Sequence, residues 1–376
     1  MSSGPRADDR RPTTDDGGRK TGEDVPHLPR TAGSQPQITE SASLAVVIVS
    51  YNVRDLLRAC LSATLASLTR SGYEGARLSS SIIVIDNASA DGSADMLTAE
   101  FPQVRLVALQ SNLGFAGGNN RALRMLGFGD AVEQPDIDSP QSAVRNPQFV
   151  LLLNPDAEPL GDAIGQMVRF LAEHPNVGGV GAQLQFPDGR FQHGAFRFPD
   201  LWQLWFDFFP PRPRRLLDSR LNGRYSRTLY DAGQPFPIDF GLGAALMVRR
   251  EAIEAAGLLD EGYFMYAEEV DWCWRIRRAG WPFYCIPAAR VIHYGGASTH
   301  QFREQSFLNL WRSRKRLYDR FYGPRRRWLA AQIVRLGMWA EAQRARRAAA
   351  QGDIAREELA SRLAAVTKVK SLFAKP

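Results

Sequence analysis

The chain is sparing with several residue types, and each shortage excludes something. Its 376 residues include three cysteines, Cys60, Cys273 and Cys285. They form no spaced framework and no Cys-x-x-Cys pair, so a disulfide scaffold or thiolate metal site is not expected, and a reducing, cytosolic compartment is. No apolar run approaches the roughly 18–20 residues that cross a bilayer, and the N-terminus lacks a signal peptide's apolar core. The protein is therefore expected to be soluble or to lie on a membrane without crossing it. Large apolar residues are almost missing from Met1 to about Ser43, where Arg, Asp, Gly, Pro, Ser and Thr dominate. Such a segment cannot bury enough surface to offset its ordering entropy, and a disordered tail is expected over residues 1–43.

An excess of charge of one sign is missing except in one place. The formal net charge is +7, and Gln301 to Trp328 alone carries nine Lys or Arg against Glu304 and Asp319. The remainder is close to neutral. A local excess argues for a local anionic partner, such as a phospholipid surface over residues 301–340. No recognition motif accompanies it, so a nucleic-acid partner is not expected.

The folded part begins with the apolar run Leu44–Val49, which reads as a buried strand ending in Ser50-Tyr51-Asn52. Leu56, Leu57, Cys60, Leu61 and Leu65 follow at helical spacing. Ser81–Ile85 is a second strand, ending in Asp86-Asn87-Ala88-Ser89-Ala90-Asp91-Gly92-Ser93, and Val104–Leu109 a third, leading into a Gly- and Asn-rich stretch. Gly127–Pro147 is polar and aperiodic and reads as a surface insertion. Phe149-Val150-Leu151-Leu152-Leu153 is a central strand buried on both faces, closed by Asn154-Pro155 because proline cannot donate to a ladder. Strands alternating with helices imply a doubly wound, mainly parallel α/β sheet. Phe240–Val248 reads as one later strand opened by glycines, and the region after 301 as basic amphipathic helices.

Chemistry-bearing residues stand at the strand ends. Asp156 sits just beyond the carboxyl end of the central strand, where open α/β sheets bind ligands, and a carboxylate there suits a hard cation; the plainer reading is a strand-ending turn. The stretch Tyr266-Ala267-Glu268-Glu269-Val270-Asp271 opens a helix, with Asp271 placed to pair with Arg275 four residues on. Glu269 is left unpaired and is the better general base, although all three acids also suit the helix dipole. His293 ends an apolar Val-Ile pair ahead of two glycines, as a metal ligand or as a structural imidazole. The aromatics crowded into Phe186–Pro237 read either as an acceptor-cleft floor or as a hydrophobic cover. The basic helices read equally as membrane-facing or as packed on the rest of the chain.

Five stretches in order carry a resemblance: Val49-Ser50-Tyr51-Asn52, Ile85–Ser93, Asn112-Leu113-Gly114-Phe115-Ala116-Gly117-Gly118-Asn119-Asn120, Leu153-Asn154-Pro155-Asp156, and Tyr266–Asp271 with Arg275. Together they resemble the family 2 inverting glycosyltransferases of GT-A fold, in their rhamnosyltransferase-like branch, over about Leu44 to Ser298. The resemblance implies a GT-A domain over 44–300 (donor half about 44–160, acceptor half about 161–300), followed by a basic helical region over 301–376. It also implies residue roles. Ser50, Tyr51, Asn52 and Asp86 would hold the nucleotide, with Asp86 accepting from the pyrimidine N–H. Asn112, Gly114, Gly117, Asn119 and Asn154 would line the nucleotide-sugar pocket. Asp156 and His293 would hold Mg2+ or Mn2+, and Glu269 would deprotonate the acceptor, supported by Glu268, Asp271 and Arg275. The family's usual Asp-x-Asp has Asn154 in first place here, an amide that contributes no charge.

The implied reaction is transfer of a sugar, rhamnose from dTDP-rhamnose, to a glycan or polyprenyl-diphosphate-linked acceptor at the cytoplasmic face of the membrane, in cell-envelope polysaccharide synthesis. A nucleotidyltransferase and a non-catalytic sugar-nucleotide-binding protein are the rival expectations. Oligomeric state is left open.

Overall fold

A computed structural model describes residues 42–71, 78–129, 144, 146–295 and 303–374. The tail expected over 1–43 lies outside the described residues up to position 41, as do most of the insertion expected at Gly127–Pro147 and the last three residues of the resemblance, 296–298. All that follows belongs to the unit formed by Gln37–Pro376.

The first half builds one side of a sheet by parallel crossovers. β1 (Ser43–Ser50), α1 (Arg54–Arg70), β2 (Ser79–Asp86), α2 (Ser93–Glu100), β3 (Arg105–Ala108), α3 (Gly114–Met125) and β4 (Phe149–Leu153) follow in turn. β1 lies between β2 and β4, parallel to both, with Leu44 opposite Phe149 and Ile48 opposite Leu153. All five residues of β4 are buried, which is why its sequence does not alternate. Asp86, Ser50 and Leu153 therefore end at the same edge of the sheet.

The second half adds the other side. β5 (Ala157–Pro159), α4 (Ala163–Glu173), β6 (Gly179–Gln185), β7 (Phe191–Gln192), β8 (Ala195–Phe196), α5 (Leu201–Phe208), α6 (Arg227–Asp231), β9 (Phe236–Ile238), β10 (Phe240–Gly241), β11 (Ala245–Arg249), α7 (Arg250–Ala256), α8 (Glu268–Arg278) and β12 (Phe283–His293) continue the chain. The main sheet runs β3-β2-β1-β4-β11-β6-β12-β5, with β7 on β6 and β9 on β12. It is mixed, because β11 is antiparallel to β4 and β6 and β5 is antiparallel to β12. The α/β, doubly wound and mainly parallel expectation holds.

One strand assignment is corrected. Phe240–Val248 is two strands: β10 pairs with β8 in a separate two-stranded sheet, and β11 joins the main one. The glycines explain the break. A side chain on Gly241 would stand 3.2 Å from the Cα of Gly181, so the backbones touch there, and Leu242–Ala244 turns between the two strands.

Three helices close the chain, α9 (Arg303–Phe321), α10 (Pro324–Ala350) and α11 (Arg356–Leu372). Leu204 and Phe208 of α5, Leu308, Trp311 and Tyr318 of α9, Val334 and Met338 of α10 and Val369 of α11 share one buried cluster. Gly337 leaves room for the Phe208 ring, which a Cβ would meet at 2.2 Å. The aromatics of Phe186–Pro237 are mainly cover: Phe191, Phe196, Phe198, Tyr225 and Tyr230 pack on the sheet's own core. Most of α9's charge is also spent within the chain. Arg316 and Arg320 bond Asp260, Arg314 bonds Asp207, and Lys315 bonds Asp319.

Candidate active site

Asp156 and His293 meet because of a strand the sequence does not advertise. After Asn154-Pro155 the chain re-enters the sheet as β5, antiparallel to the end of β12, with Ala157 opposite His293. The Tyr294 N–H donates to the Asp156 carbonyl at 3.1 Å. This pins the two side chains together, with Asp156 Oδ1 3.5 Å from His293 Nε2 and both nearly buried. On its far side the imidazole is held by Gln192 of β7, whose Oε1 accepts from Nδ1 at 3.3 Å. That contact leaves the Nε2 lone pair facing Asp156, the orientation a metal-ligating histidine needs. Among the described residues no third His, Cys, Asp or Glu joins the pair. The chain thus offers one carboxylate and one imidazole, a donor set that fits Mg2+ or Mn2+ when the ligand's phosphate oxygens complete the shell.

The acidic motif approaches from another wall. Tyr266 and Ala267 both adopt positive φ, 71° and 66°, a conformation that costs non-glycine residues of order 1 kcal/mol or more each. The turn is tied down from two sides: the Met265 carbonyl accepts from Ser313 Oγ of α9 at 2.7 Å, and the Phe264 carbonyl from the Phe115 N–H at 3.0 Å. It starts α8 so that Glu268 and Glu269 reach the same cavity as Asp156 and His293. Asp271, one turn on, faces the core instead. It is fully buried, accepts from Arg275 Nε at 2.6 Å and Tyr263 Oη at 3.2 Å, and forms an ion pair with Arg320 Nη1 at 3.1 Å. Asp271 and Arg275 hold each other inside the fold, whereas Glu269 lines the cavity.

The cavity has a volume of about 510 Å3. Ser50, Tyr51, Asn112, Gly114, Asn154 and Asp156 come from the parallel half, and Leu242–Ala244, Glu268, Glu269 and His293 from the other. Two buried atoms on it, Ser50 Oγ and Glu268 Oε2, have no hydrogen-bond partner among the described residues. Buried polar atoms are nearly always paired, so this edge is shaped for donors and acceptors that a ligand brings. Burial pushes the Glu269 carboxyl above its ordinary value, while bonds from the backbone amides of Glu269, Val270 and Gly243 pull it the other way. Burial, and then the charge of Glu269, push Glu268 up much further.

Not every expected residue reaches this space. Asp86 lies behind the lining, its Oδ2 accepting from the Ser89 N–H, and its neighbour Asn87 lines the cavity instead. Asn87 also fixes the Gly-rich loop, donating to the Gly114 carbonyl and accepting from the Leu113 N–H. Asn52 faces the other way, accepting from the Ala90 N–H. Gly117 and Asn119 lie within α3, off the cavity. A side chain on Gly117 would run into Leu113 at 2.8 Å, and the Asn119 amide is spent on the Phe115 carbonyl. Sequence reasoning missed Gln192 and the first turns of α9, where Gln305, Ser306 and Asn309 close one side of the cavity. Their only signal was small polar residues at positions 305, 306 and 309 inside an otherwise charged helix.

A second cavity of about 320 Å3 opens behind Glu269, which lines both, as does Leu242. Its other walls come from α5, α9 and the strand residue Phe196, with Arg197, Arg224 and Arg314 among them. Arg197 Nε is buried there without a partner. Glu269 thus stands in the partition between two spaces, one of which carries the Asp156–His293 pair.

Comparisons with known proteins show the family of the chain. The family described as Glycosyl transferase family 2 matches residues 45–257, more than half of the chain. N-acetylglucosaminyl-diphospho-decaprenol L-rhamnosyltransferase of Mycobacterium tuberculosis is 30% identical over 226 residues, which span 58% of this chain and 68% of that protein. Among solved structures, mannosyltransferase PcManGT from Pyrobaculum calidifontis in complex with GDP-Man and Mn2+ aligns with 90% of this chain and 86% of its own, at a TM-score of 0.48 and 16% identity. GalNAc-T7 with UDP, GalNAc and Mn2+ aligns at a TM-score of 0.44 and 14% identity, over 67% of this chain and 43% of its own. With its family match and its M. tuberculosis relative in hand, the chain is placed: it belongs to glycosyl transferase family 2.

Proposed function

We propose that this glycosyltransferase moves rhamnose from dTDP-rhamnose, with inversion, to a polyprenyl-diphosphate-linked glycan at the cytoplasmic face of the membrane, for cell-envelope polysaccharide. The observation that carries the reaction type is the position of Glu269. It stands across one cavity from Asp156 and His293 and opens at its back onto another. The donor occupies the first space, with its base toward Ser50, Tyr51 and Asn87 and its diphosphate toward Asp156 and His293. The acceptor enters through the second.

The acceptor hydroxyl gives its proton to the Glu269 carboxylate as its oxygen bonds to the anomeric carbon. The bond from that carbon to the diphosphate oxygen breaks, and the nucleoside diphosphate leaves with the electron pair. Attack opposite the leaving group inverts the centre, and no covalent enzyme intermediate is needed. A raised carboxyl is the better base, because proton transfer is most effective when the pKa lies near the working pH. Asp156 and His293 position Mg2+ or Mn2+, which when bound offsets negative charge gathering on the leaving diphosphate. Asn154 keeps its backbone N–H on the Ala244 carbonyl at 3.0 Å, so the strand end holds its shape without a second carboxylate.

The rhamnosyl group and the lipid-linked acceptor rest on the relative's name, N-acetylglucosaminyl-diphospho-decaprenol L-rhamnosyltransferase, and the dTDP carrier on the resemblance of the motifs. A panel of nucleotide sugars with Mn2+ tests them by melting temperature and by product. dTDP-rhamnose is expected to give the largest shift, by mass action, and to release dTDP. Release of pyrophosphate, or a larger response to another donor, would overturn this reading.

A further inference from the structure

One face of α10 is apolar, basic and uncovered. Trp328 and Trp339 are each 55% exposed, Leu329 42% and Leu336 45%. At positions 328, 329, 336 and 339, one, seven and three residues apart, they share a single strip of the helix, while Val334, Gly337 and Met338 on the opposite side are buried against α5 and α9. Trp and Leu side chains left this open are costly unless something receives them. Arg325, Arg335, Arg346 and Arg347 fall on the same strip and are exposed. Among the described residues, α10 makes one ion pair, Arg344 with Glu341, which points away from the strip. From Arg325 to Arg347 the strip runs about 33 Å at 1.5 Å per residue, and it carries no carboxylate.

We infer that this strip seats the protein on an anionic lipid bilayer, with the two tryptophans in the headgroup layer and the arginines on lipid phosphates. Indole rings, apolar but with one N–H donor, suit that interface, and each basic residue near an anionic surface adds to the attraction. No described helix is long and apolar enough to cross a membrane, so contact through one helix face is the mode available to this part of the chain. A second copy is the poorer occupant. A twofold interface sets a patch against itself, and here that would face arginine with arginine without a carboxylate between them. The inference deepens the membrane placement proposed above, but it rests on α10 and not on the transfer site. Because α5, α9 and α10 share one core, and the start of α9 walls the cavity, seating α10 holds the cavity in a fixed relation to the lipid surface.

The test uses the full chain with vesicles of phosphatidylcholine alone or mixed with phosphatidylglycerol, read by sedimentation and by tryptophan emission. Binding is expected only with phosphatidylglycerol and falls with salt, since about 1 M salt shortens screening to roughly 3 Å. Trp328→Ser with Trp339→Ser should weaken binding on the order of tenfold and remove the emission shift. Replacing the four arginines by Gln should weaken it by roughly 600-fold, near fivefold for each. Both sites are on the surface, so melting temperature and solution hydrolysis of the donor should be unchanged. E269Q should bind vesicles as the wild type does, which separates failure of this inference from failure of the transfer reading. No binding to anionic vesicles, or equal binding by the double Trp variant, would overturn it. So would a wild-type dimer that becomes monomeric in that variant, which would assign the strip to a second copy.

Discussion

Replacing Asp271 by Asn separates the structural acid of the motif from the chemical one. Asp271 is fully buried and receives Arg275 Nε at 2.6 Å, Arg320 Nη1 at 3.1 Å and Tyr263 Oη at 3.2 Å. Asparagine keeps the shape but loses the charge, and its NH2 faces at least one of these donors. The tyrosine hydroxyl can turn to accept, and Arg320 is half exposed and keeps Asp260. Arg275 keeps the Ala256 and Leu258 carbonyls, so the charge it loses is the main loss. A charge-assisted bond contributes about 1.5–3 kcal/mol, and breaking one side of a buried pair costs about 3–5 kcal/mol. With the retained carbonyls, roughly 3 kcal/mol is expected. At about 2.1 cal/mol/K per residue, a unit of this size has an unfolding entropy near 0.7 kcal/mol/K, so Tm should fall by about 4 °C. The assay is reversible thermal unfolding of wild type, D271N and E269Q at one pH. A D271N melting temperature equal to wild type would refute the assignment of Asp271 to holding α8.

Three further outcomes follow from the same geometry. Glu268 has its folded carboxyl raised, so its contribution to stability is fully present below the unfolded value near 4.5 and is lost as pH rises toward the folded value; the Tm of E268Q relative to wild type should climb through that window, and a pH-independent difference would contradict it. Gly114 has φ +73°, and a Cβ there would lie 2.1 Å from the Phe264 carbonyl oxygen; Gly114→Ala should cost on the order of 2–3 kcal/mol and displace the turn before α8, lowering transfer with stability, whereas unchanged values in both would show that the close contact is not required. Gln192→Ala frees the back of His293 and should weaken Mn2+ affinity about 10–100-fold, read by calorimetry with donor present; an unaltered affinity would remove Gln192 from the site.

The strands built from unbroken apolar runs were legible because burial on both faces leaves no ambiguity of period. Leu44–Val49, Ser81–Ile85 and Phe149–Leu153 all fall within strands of the structure. Their carboxyl ends placed Asp156 correctly at the rim. Partners set by register were not legible. β5 has three residues, too short to carry a pattern, yet its pairing with β12 is what brings His293 to Asp156. The break between β10 and β11 depends on Gly241 touching Gly181 from another strand, a contact no local reading contains. In the Gly-rich loop, the resemblance implied that Asn112, Gly114, Gly117 and Asn119 line the donor pocket. Helix α3 instead turns Gly117 and Asn119 inward, and leaves Asn112 and Gly114 on the cavity. Charge alone did not separate the basic helices: most basic residues of α9 pair at home, and the uncovered strip lies on α10.

The account stands or falls on Glu269 as the group that takes the acceptor's proton. Its most direct test is the transfer rate of E269Q, measured with donor affinity on the same sample. Loss of the general base should lower kcat about 10²–10⁴-fold, or roughly 2.7–5.5 kcal/mol at 1.36 kcal/mol per decade, with donor binding kept. The wild-type acid limb, set by a carboxyl held above its ordinary value, should vanish in the variant. An E269Q enzyme that transfers sugar at near wild-type rate, with the same fall at low pH, would contradict the account.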